Sequence, residues 1–331
     1  MRMGAIEDVL GKETEALKEP LVTVIIPAYN RAHLIGEAIE SVLNQSYGNY
    51  KIIIIDDGST DNTREVCHRY IAMHPDSIIY YYKQNGGCAG ARNYGLDRLD
   101  DYAEYICFLD SDDRFLPDKL KNEVELLEAS PDADFCYASS IIYTEELSRE
   151  ALHRVAAAGH PEEFAIEHFM TNEAKSNAML YRRKILNNKR FDESLLHNED
   201  SGFLQCIAIE HRGQYNPDPG CWVRDHHGSK SRNKIEICKS VLHANQKILE
   251  MYPDFHHAYQ SQIESRMNRV RKDIFVELML EKHWQEAKTY TQNFGERLLA
   301  CLRLSIYYRM RRFLWRNLVS KFGILKRIIN R

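Results

Sequence analysis

Four short apolar runs, at residues 22–28 (VTVIIPA), 52–55 (IIII), 78–82 (IIYYY) and 105–109 (YICFL), punctuate the first third of the chain. A strand with one wet face alternates apolar and polar residues, so unbroken β-branched runs call for cover on both faces. Helical periodicity fills the gaps: after residue 30, Leu34, Ile35, Ala38, Ile39, Val42 and Leu43 recur on one face. Strand–helix alternation of this kind predicts an α/β fold with a doubly wound, mainly parallel sheet flanked by helices. Residues 134–143 read as a fifth strand and 176–181 as a further candidate. Helices are expected around 92–99, 117–129, 199–211 and 235–252, and over most of the chain beyond Tyr259. Asn30 reads as the cap of the first helix, Asn62 with Glu65 as a capping box for the second, and Pro117 as a first helical residue. The polar, irregular segment 144–175, with one short Ala-rich helical piece, reads as a flexible substrate loop.

Composition narrows the class. With 44% hydrophobic and 28% charged residues, the 331-residue chain is an ordinary globular protein with room for a full core. Its eight cysteines are scattered, form no CxxC and often sit in apolar runs, which suits reduced core thiols in a cytoplasmic protein. Residues 1–19 hold no signal peptide, and no apolar run is long enough to span a membrane. Net charge is −4, yet residues 296–331 carry ten Lys/Arg against one acid, interleaved with apolar side chains such as Trp315 and Phe322. A basic amphipathic tail of that kind suits either an anionic membrane surface, which would make the protein peripheral at the inner membrane face, or a helix packed on the catalytic domain with its charges in solvent. A nucleic-acid partner is not expected. The division expected is an N-terminal extension (1–20), a catalytic domain (21–232) and a helical C-terminal region with the basic tail (233–331).

In open α/β sheets, ligands bind beyond the carboxyl ends of the strands. The polar clusters fall there: Tyr29-Asn30, Asp56-Asp57, residues 85–93 and Asp110-Ser111-Asp112-Asp113. Three carboxylates at the end of one strand raise each other's pKa unless a cation neutralises them. An oxygen-only ligand set favours Mg²⁺ or Mn²⁺ shared with substrate phosphates. Taken alone, the DSDD run is as readily an Asp-rich turn or helix cap.

Together the motifs resemble the inverting family-2 glycosyltransferases of the glycosyltransferase-A fold, over about two-thirds of the chain. They are VIIPAYN (24–30), AIESVLNQ (38–45), IDDGSTDNT (55–63), NGG (85–87) with ARN (91–93), FLDSDD (108–113), FDE (191–193), Glu199-Asp200, and Arg224 with His226. The resemblance implies roles for them. Pro27, Tyr29 and Asp57 would hold the base, and a carboxylate accepting an imide N–H favours uridine or thymidine over cytidine. Asn30, Asn85, Gly86, Asp110 and Asp112 would join them at the nucleotide-sugar, with Arg92 on the diphosphate or on an adjacent carboxylate. Asp112 and Asp113 would hold Mn²⁺ or Mg²⁺ with His226, for which His227 is an equal candidate. Asp200 would be the general base that deprotonates the acceptor hydroxyl, with Glu199 as its rival.

The resemblance implies transfer of a sugar from a nucleotide-sugar, UDP-linked by preference, to a glycan or lipid-linked hydroxyl in cell-surface polysaccharide synthesis. A nucleotidyltransferase would want a Gly-rich triphosphate loop after the first strand, and PAYN (27–30) is not one. A degenerate nucleotide- or glycan-binding module without turnover is the other alternative. Two departures from the family stand out. Residues 201–207 (SGFLQCI) replace the aromatics and arginine that often follow Glu-Asp, and nothing beyond about Asn233 matches a family motif.

Overall fold

The computed structural model describes residues 19–290, apart from 145–147, 156–160, 227–232 and 282. The basic tail 296–331, the extension 1–18, His227 and Cys301 therefore lie outside the described residues.

Nine strands form one sheet: β1 (Leu21–Ala28), β2 (Tyr50–Asp56), β3 (Ile78–Tyr82), β4 (Ala103–Phe108), β5 (Arg114–Phe115), β6 (Phe135–Thr144), β7 (Arg149–His153), β8 (Met179–Arg182) and β9 (Gly213–Asp225). Their order is β3-β2-β1-β4-β8-β6-β9-β5, with β7 on β6. From β3 to β4 every pairing is parallel, and the four expected apolar runs fall in these four strands. Beyond β4 the sheet is mixed: β8 runs antiparallel to β4 and β6, and β5 to β9, whereas β6 and β9 are parallel.

The helices are α1 (Ile35–Leu43), α2 (Thr63–Met73), α3 (Gly87–Leu96), α4 (Lys119–Glu128), α5 (Pro161–Thr171), α6 (Glu199–Glu210), α7 (Lys234–Met251), α8 (Pro253–Ala258), α9 (Gln260–Leu280) and the single turn α10 (Trp284–Ala287). Both sheet faces are covered, which is why β1 and β2 tolerate no polar alternation. Val22, Val24 and Ile26 pack with Ile35, Ile39 and Val42 of α1 and with Leu120 and Val124 of α4. On the other face, Ile25, Ile106 and Phe108 pack with Ala91 of α3, Phe164 of α5 and Phe203 and Ile207 of α6. Phe255 and Met267 of the C-terminal helices join this second core.

Several local expectations change. Asn30 does not cap α1: it adopts the left-handed region (φ 51°), which Asn tolerates, and Leu34 stands at the cap. Asn62 makes no side-chain cap bond; the Thr63 N–H donates instead to Asp61 Oδ1 at 3.0 Å. Helix α4 starts two residues after Pro117, with Asp118 at its cap. Segment 144–175 is not a loop throughout, since it contributes β7, paired with β6, and helix α5, whose Phe164 and Phe169 are buried. β9 escaped the sequence reading because Pro217 and Pro219 mark a turn; residues 217–220 form a bulge that shifts the β6–β9 register. The seven described cysteines are free thiols, and Cys67, Cys107, Cys136 and Cys221 are buried.

Candidate active site

The loops after β1, β2 and β4 open into one cleft of about 610 Å³, closed on the far side by the start of α6 and by β9. Its lining combines three groups: Pro27, Tyr29, Asp57 and Asn85 from the end of β1 and the loops after β1, β2 and β3, Asp110, Asp112 and Asp113 from the end of β4, and Glu199 and Asp200 from the start of α6. The expected site residues thus converge, with Asn30, Gly86 and His226 just behind this lining.

In the first group Tyr29 is half exposed (47%), offering a ring face to the cleft. Asp57 is buried, and its carboxylate is already engaged. Oδ1 accepts from Lys83 Nζ at 2.6 Å and from the Gly86 N–H at 2.9 Å, and Oδ2 accepts from the Gly87 N–H at 2.8 Å. The carboxylate therefore sits on the positive end of α3, the favourable place for an anion. Gly87 turns its N–H there through a positive φ (84°), open to glycine without strain. Asn85 Nδ2 donates to the Asp57 carbonyl at 2.9 Å. Asn30 ties this wall together: its N–H donates to Ser59 Oγ at 2.9 Å, and its Oδ1 accepts from the Thr60 N–H at 2.8 Å.

In the second group, the two neighbouring aspartates differ. Asp113 is buried and turned into the protein, where Oδ1 accepts from the Arg224 N–H at 2.9 Å and Oδ2 from Asn177 Nδ2. Burial, with the charges of Asp110 and Asp112 added, holds its carboxyl well above the usual carboxylate range, although the Arg224 N–H and charge pull the other way. Asp112 faces the cleft; its Oδ2 lies 3.2 Å from His226 Nε2 and 3.4 Å from a guanidinium nitrogen of Arg31. Asp113, expected to bind metal beside Asp112, fastens β9 and the turn at Asn177 to the end of β4 through these bonds.

Arg92 is almost fully buried and bridges two elements, donating to Asp110 Oδ1 at 2.7 Å and to Glu199 Oε1 at 2.9 Å. Of the two partners expected for it, the adjacent carboxylate is the one in contact. Glu199 is raised by burial and by neighbouring Asp200, with Arg92 holding it back. Withdrawal from bulk water raises Asp110 as well; Arg92 counters this, while Asp112 and Asp200 add to it.

Glu199 and Asp200 open α6 directly after Asn198, which is left-handed (φ 64°) and whose Oδ1 accepts from Asn172 Nδ2 at 2.9 Å. Asp200 Oδ1 accepts from the Ser201 N–H at 2.8 Å. Behind it, buried His168 faces Ser201 Oγ at 3.0 Å, and burial pushes its imidazole down to about 4.

Among the described residues, no three His, Cys, Asp or Glu side chains are grouped to hold a metal by themselves. The donor chemistry of Asp112 with His226 nevertheless fits a Mn²⁺-type ion that takes its remaining ligands from phosphates and water. Sequence reasoning missed Asn177, which ties Asp110 and Asp113 together, along with Arg31 and Lys83. Asn177 left no signal to find, because its partners lie 67 and 64 residues away.

Residues 23–191 match the profile of Glycosyl transferase family 2. An uncharacterized glycosyltransferase of Haemophilus influenzae is 29% identical over 224 residues, covering 66% of this chain and 84% of that protein. The putative teichuronic acid biosynthesis glycosyltransferase TuaG of Bacillus subtilis is 40% identical over 33% of this chain and 42% of its own length. The minor teichoic acid biosynthesis protein GgaB of the same organism is 32% identical over 57% of this chain and 21% of its own length. Matches to TuaG and to a group of Rickettsia glycosyltransferases span only 15% to 42% of those relatives. Among solved structures, the S. aureus TarS 1–349 complex with UDP-GlcNAc superposes with TM-score 0.55 at 18% identity, over 81% of this chain and 87% of that one. The mannosyltransferase PcManGT of Pyrobaculum calidifontis, in complex with GDP-Man and Mn²⁺, gives 0.56 at 18% identity, over 89% and 87%. These likenesses carry the fold, the glycosyltransferase-A arrangement expected from the sequence.

Proposed function

We propose that this chain, which belongs to glycosyl transferase family 2, moves a sugar from a UDP-sugar to an acceptor hydroxyl, inverting the anomeric centre. The observation that carries the reading is that one cleft gathers the groups such a transfer needs. Its lining holds a half-exposed aromatic, Tyr29, the Asp110–Asp112 corner to which His226 is joined, and Asp200.

Tyr29 supplies a stacking face for the base beside Asp57. Lys83 and the start of α3 hold Asp57 in place through three of its roughly four acceptor sites, which leaves about one for an imide N–H. Asp112 and His226 would hold the divalent cation. When bound, that cation neutralises charge on the departing diphosphate. Asp113 keeps that corner in shape from behind. Asp200, at the start of α6 in the same cleft, accepts the proton of the attacking hydroxyl. Arg92 holds Asp110 and Glu199 in fixed register, so the two walls keep the spacing that an in-line displacement requires. Kinship with TuaG and GgaB, named for teichuronic acid and minor teichoic acid biosynthesis, supports a role in building a polysaccharide of that kind.

The test is titration of UDP and UDP-sugars into the full chain with and without Mn²⁺, followed by NMR of any product's anomeric configuration. Mn²⁺-dependent UDP binding and an inverted product are expected. Mn²⁺-independent preference for another nucleoside diphosphate would sink the donor assignment, and a retained configuration would sink the role given to Asp200.

A further inference from the structure

One oxygen in the cleft has two suitors. Asp112 Oδ2 lies 3.2 Å from His226 Nε2 and 3.4 Å from the Arg31 guanidinium. Arg31 is built to reach it from a fixed base. Its own N–H donates to Thr63 Oγ1 at 2.8 Å, and the next N–H, of Ala32, donates to Asp61 Oδ2 at 3.1 Å. The backbone is therefore pinned to the start of α2, while the side chain, one-quarter exposed, lines the cleft between Tyr29 and Asp112. No other acid among the described residues pairs with this guanidinium.

We propose that Arg31 is an exchangeable counter-ion: it pairs with Asp112 in the empty cleft, gives way to the cation, and re-pairs with the diphosphate that arrives with it. The inference rests on the donor reading above. A guanidinium and a divalent cation on one carboxylate repel each other, so uptake of the cation weakens the Arg31–Asp112 pair and favours its release. The displaced arm swings from its pinned base over the stretch of cleft between the base end and the acid end. A diphosphate joining those two ends lies there, and guanidinium recognises phosphate through two parallel hydrogen bonds. Each ligand then helps the other. Cation alone must break the Arg31–Asp112 pair, whereas cation with diphosphate exchanges that pair for another, a coupling that is reciprocal by linkage. The result is a cleft that takes up its cation weakly until the nucleotide is present, which spares it from holding a bare metal ion.

The experiment measures Mn²⁺ affinity alone, by the EPR signal of free Mn²⁺, and UDP affinity with and without Mn²⁺, by calorimetry. The full-length wild type, Arg31→Met and Arg31→Lys are compared, with thermal melts to verify folding. Losing a partly exposed ion pair should tighten Mn²⁺ binding to Arg31→Met by up to about fivefold. Losing a charge-assisted phosphate contact should weaken UDP binding in Mn²⁺ by at least about tenfold. Arg31→Lys keeps the charge but not the fork, so Mn²⁺ affinity should return to the wild-type value while UDP affinity recovers only in part. Unchanged or weaker Mn²⁺ binding to Arg31→Met overturns the proposal, as does absence of Mn²⁺ uptake by either protein. Wild type that binds Mn²⁺ but no nucleotide would overturn the donor reading instead, and the Mn²⁺ measurement would still judge Arg31.

Discussion

The two walls of the cleft are built on opposite plans. On the wall formed by the strand-end loops, nearly every polar group is spent on another. Asp57 is held by Lys83, Gly86 and Gly87; Asn30 by Ser59 and Thr60; Asp113 by Asn177 and Arg224. On the α6 wall, Asp200 accepts one backbone hydrogen bond, from the residue that follows it. A carboxylate has about four acceptor sites, so Asp200 keeps most of its capacity for something that is not protein. Unspent hydrogen-bonding capacity separates groups that shape the cleft from groups able to react in it. The same distinction divides the adjacent pair Asp112 and Asp113.

The largest expected effect sharpens this comparison on the α6 side. Asp200→Asn keeps the shape and removes the proton acceptor, so single-turnover transfer should slow by roughly 10²–10⁴-fold. UDP affinity in Mn²⁺ should stay within about twofold, because the nucleotide is held on the other wall. A variant that loses UDP binding while keeping its chemical rate would break the division between the walls.

Next comes the support beneath Asp200. His168 is buried and neutral in the fold, with its imidazole lowered from 6.5 to about 4. The unfolded chain therefore binds a proton below about pH 6.5 that the folded chain refuses until about pH 4. The stability tied to this group is complete above pH 6.5 and is lost as pH falls toward 4, by about 3 kcal/mol at the lower end. Denaturant melts of wild type and His168→Gln across that window should show the steeper acid loss only in wild type. Parallel curves would mean that His168 is not held neutral.

The smallest effect tests the two aspartates. Asp113→Ala leaves Asn177 Nδ2 and the Arg224 N–H without their acceptor, which should cost about 1–3 kcal/mol and several degrees in Tm. Asp112→Ala relieves crowding with Asp110 and Asp113 but gives up the contacts with Arg31 and His226, so Tm should change little, yet Mn²⁺-dependent UDP binding should be abolished. If both variants melt alike, the contrast drawn between a fastening and a binding carboxylate fails.

The parallel half of the sheet was legible because burial on both faces writes itself into sequence as unbroken apolar runs. The polar clusters after β1, β2 and β4 followed from the general position of ligands in such sheets. What could not be read were features decided by distant partners. β5 is two residues long and exists only because β9 runs beside it. β9 is interrupted by prolines that locally argue for a turn, and its alignment is imposed by β6. Segment 144–175 looked loose because β7 is exposed along most of its length. The identity of Asp113 as a fastener was hidden for a similar reason: Asp112 and Asp113 are chemically identical in sequence, and only Asn177 and Arg224 tell them apart.

The position of β9 bears on how the protein is made. Arg224 and His226 meet Asp113 and Asp112 across 111 and 114 residues of chain, and β9 must slot between β6 and β5 to bring them there. During synthesis β1, β2 and β3 can pair as they emerge, because each neighbours the next in sequence as well as in space, and β4 then adds beside β1. The acid corner has no finished geometry until about residue 226 is free of the ribosome, and non-local strand pairing of this kind is slow. A nascent chain halted before that point would hold its three acids at the end of β4 without the contacts of Arg224 and His226, so the corner is completed late.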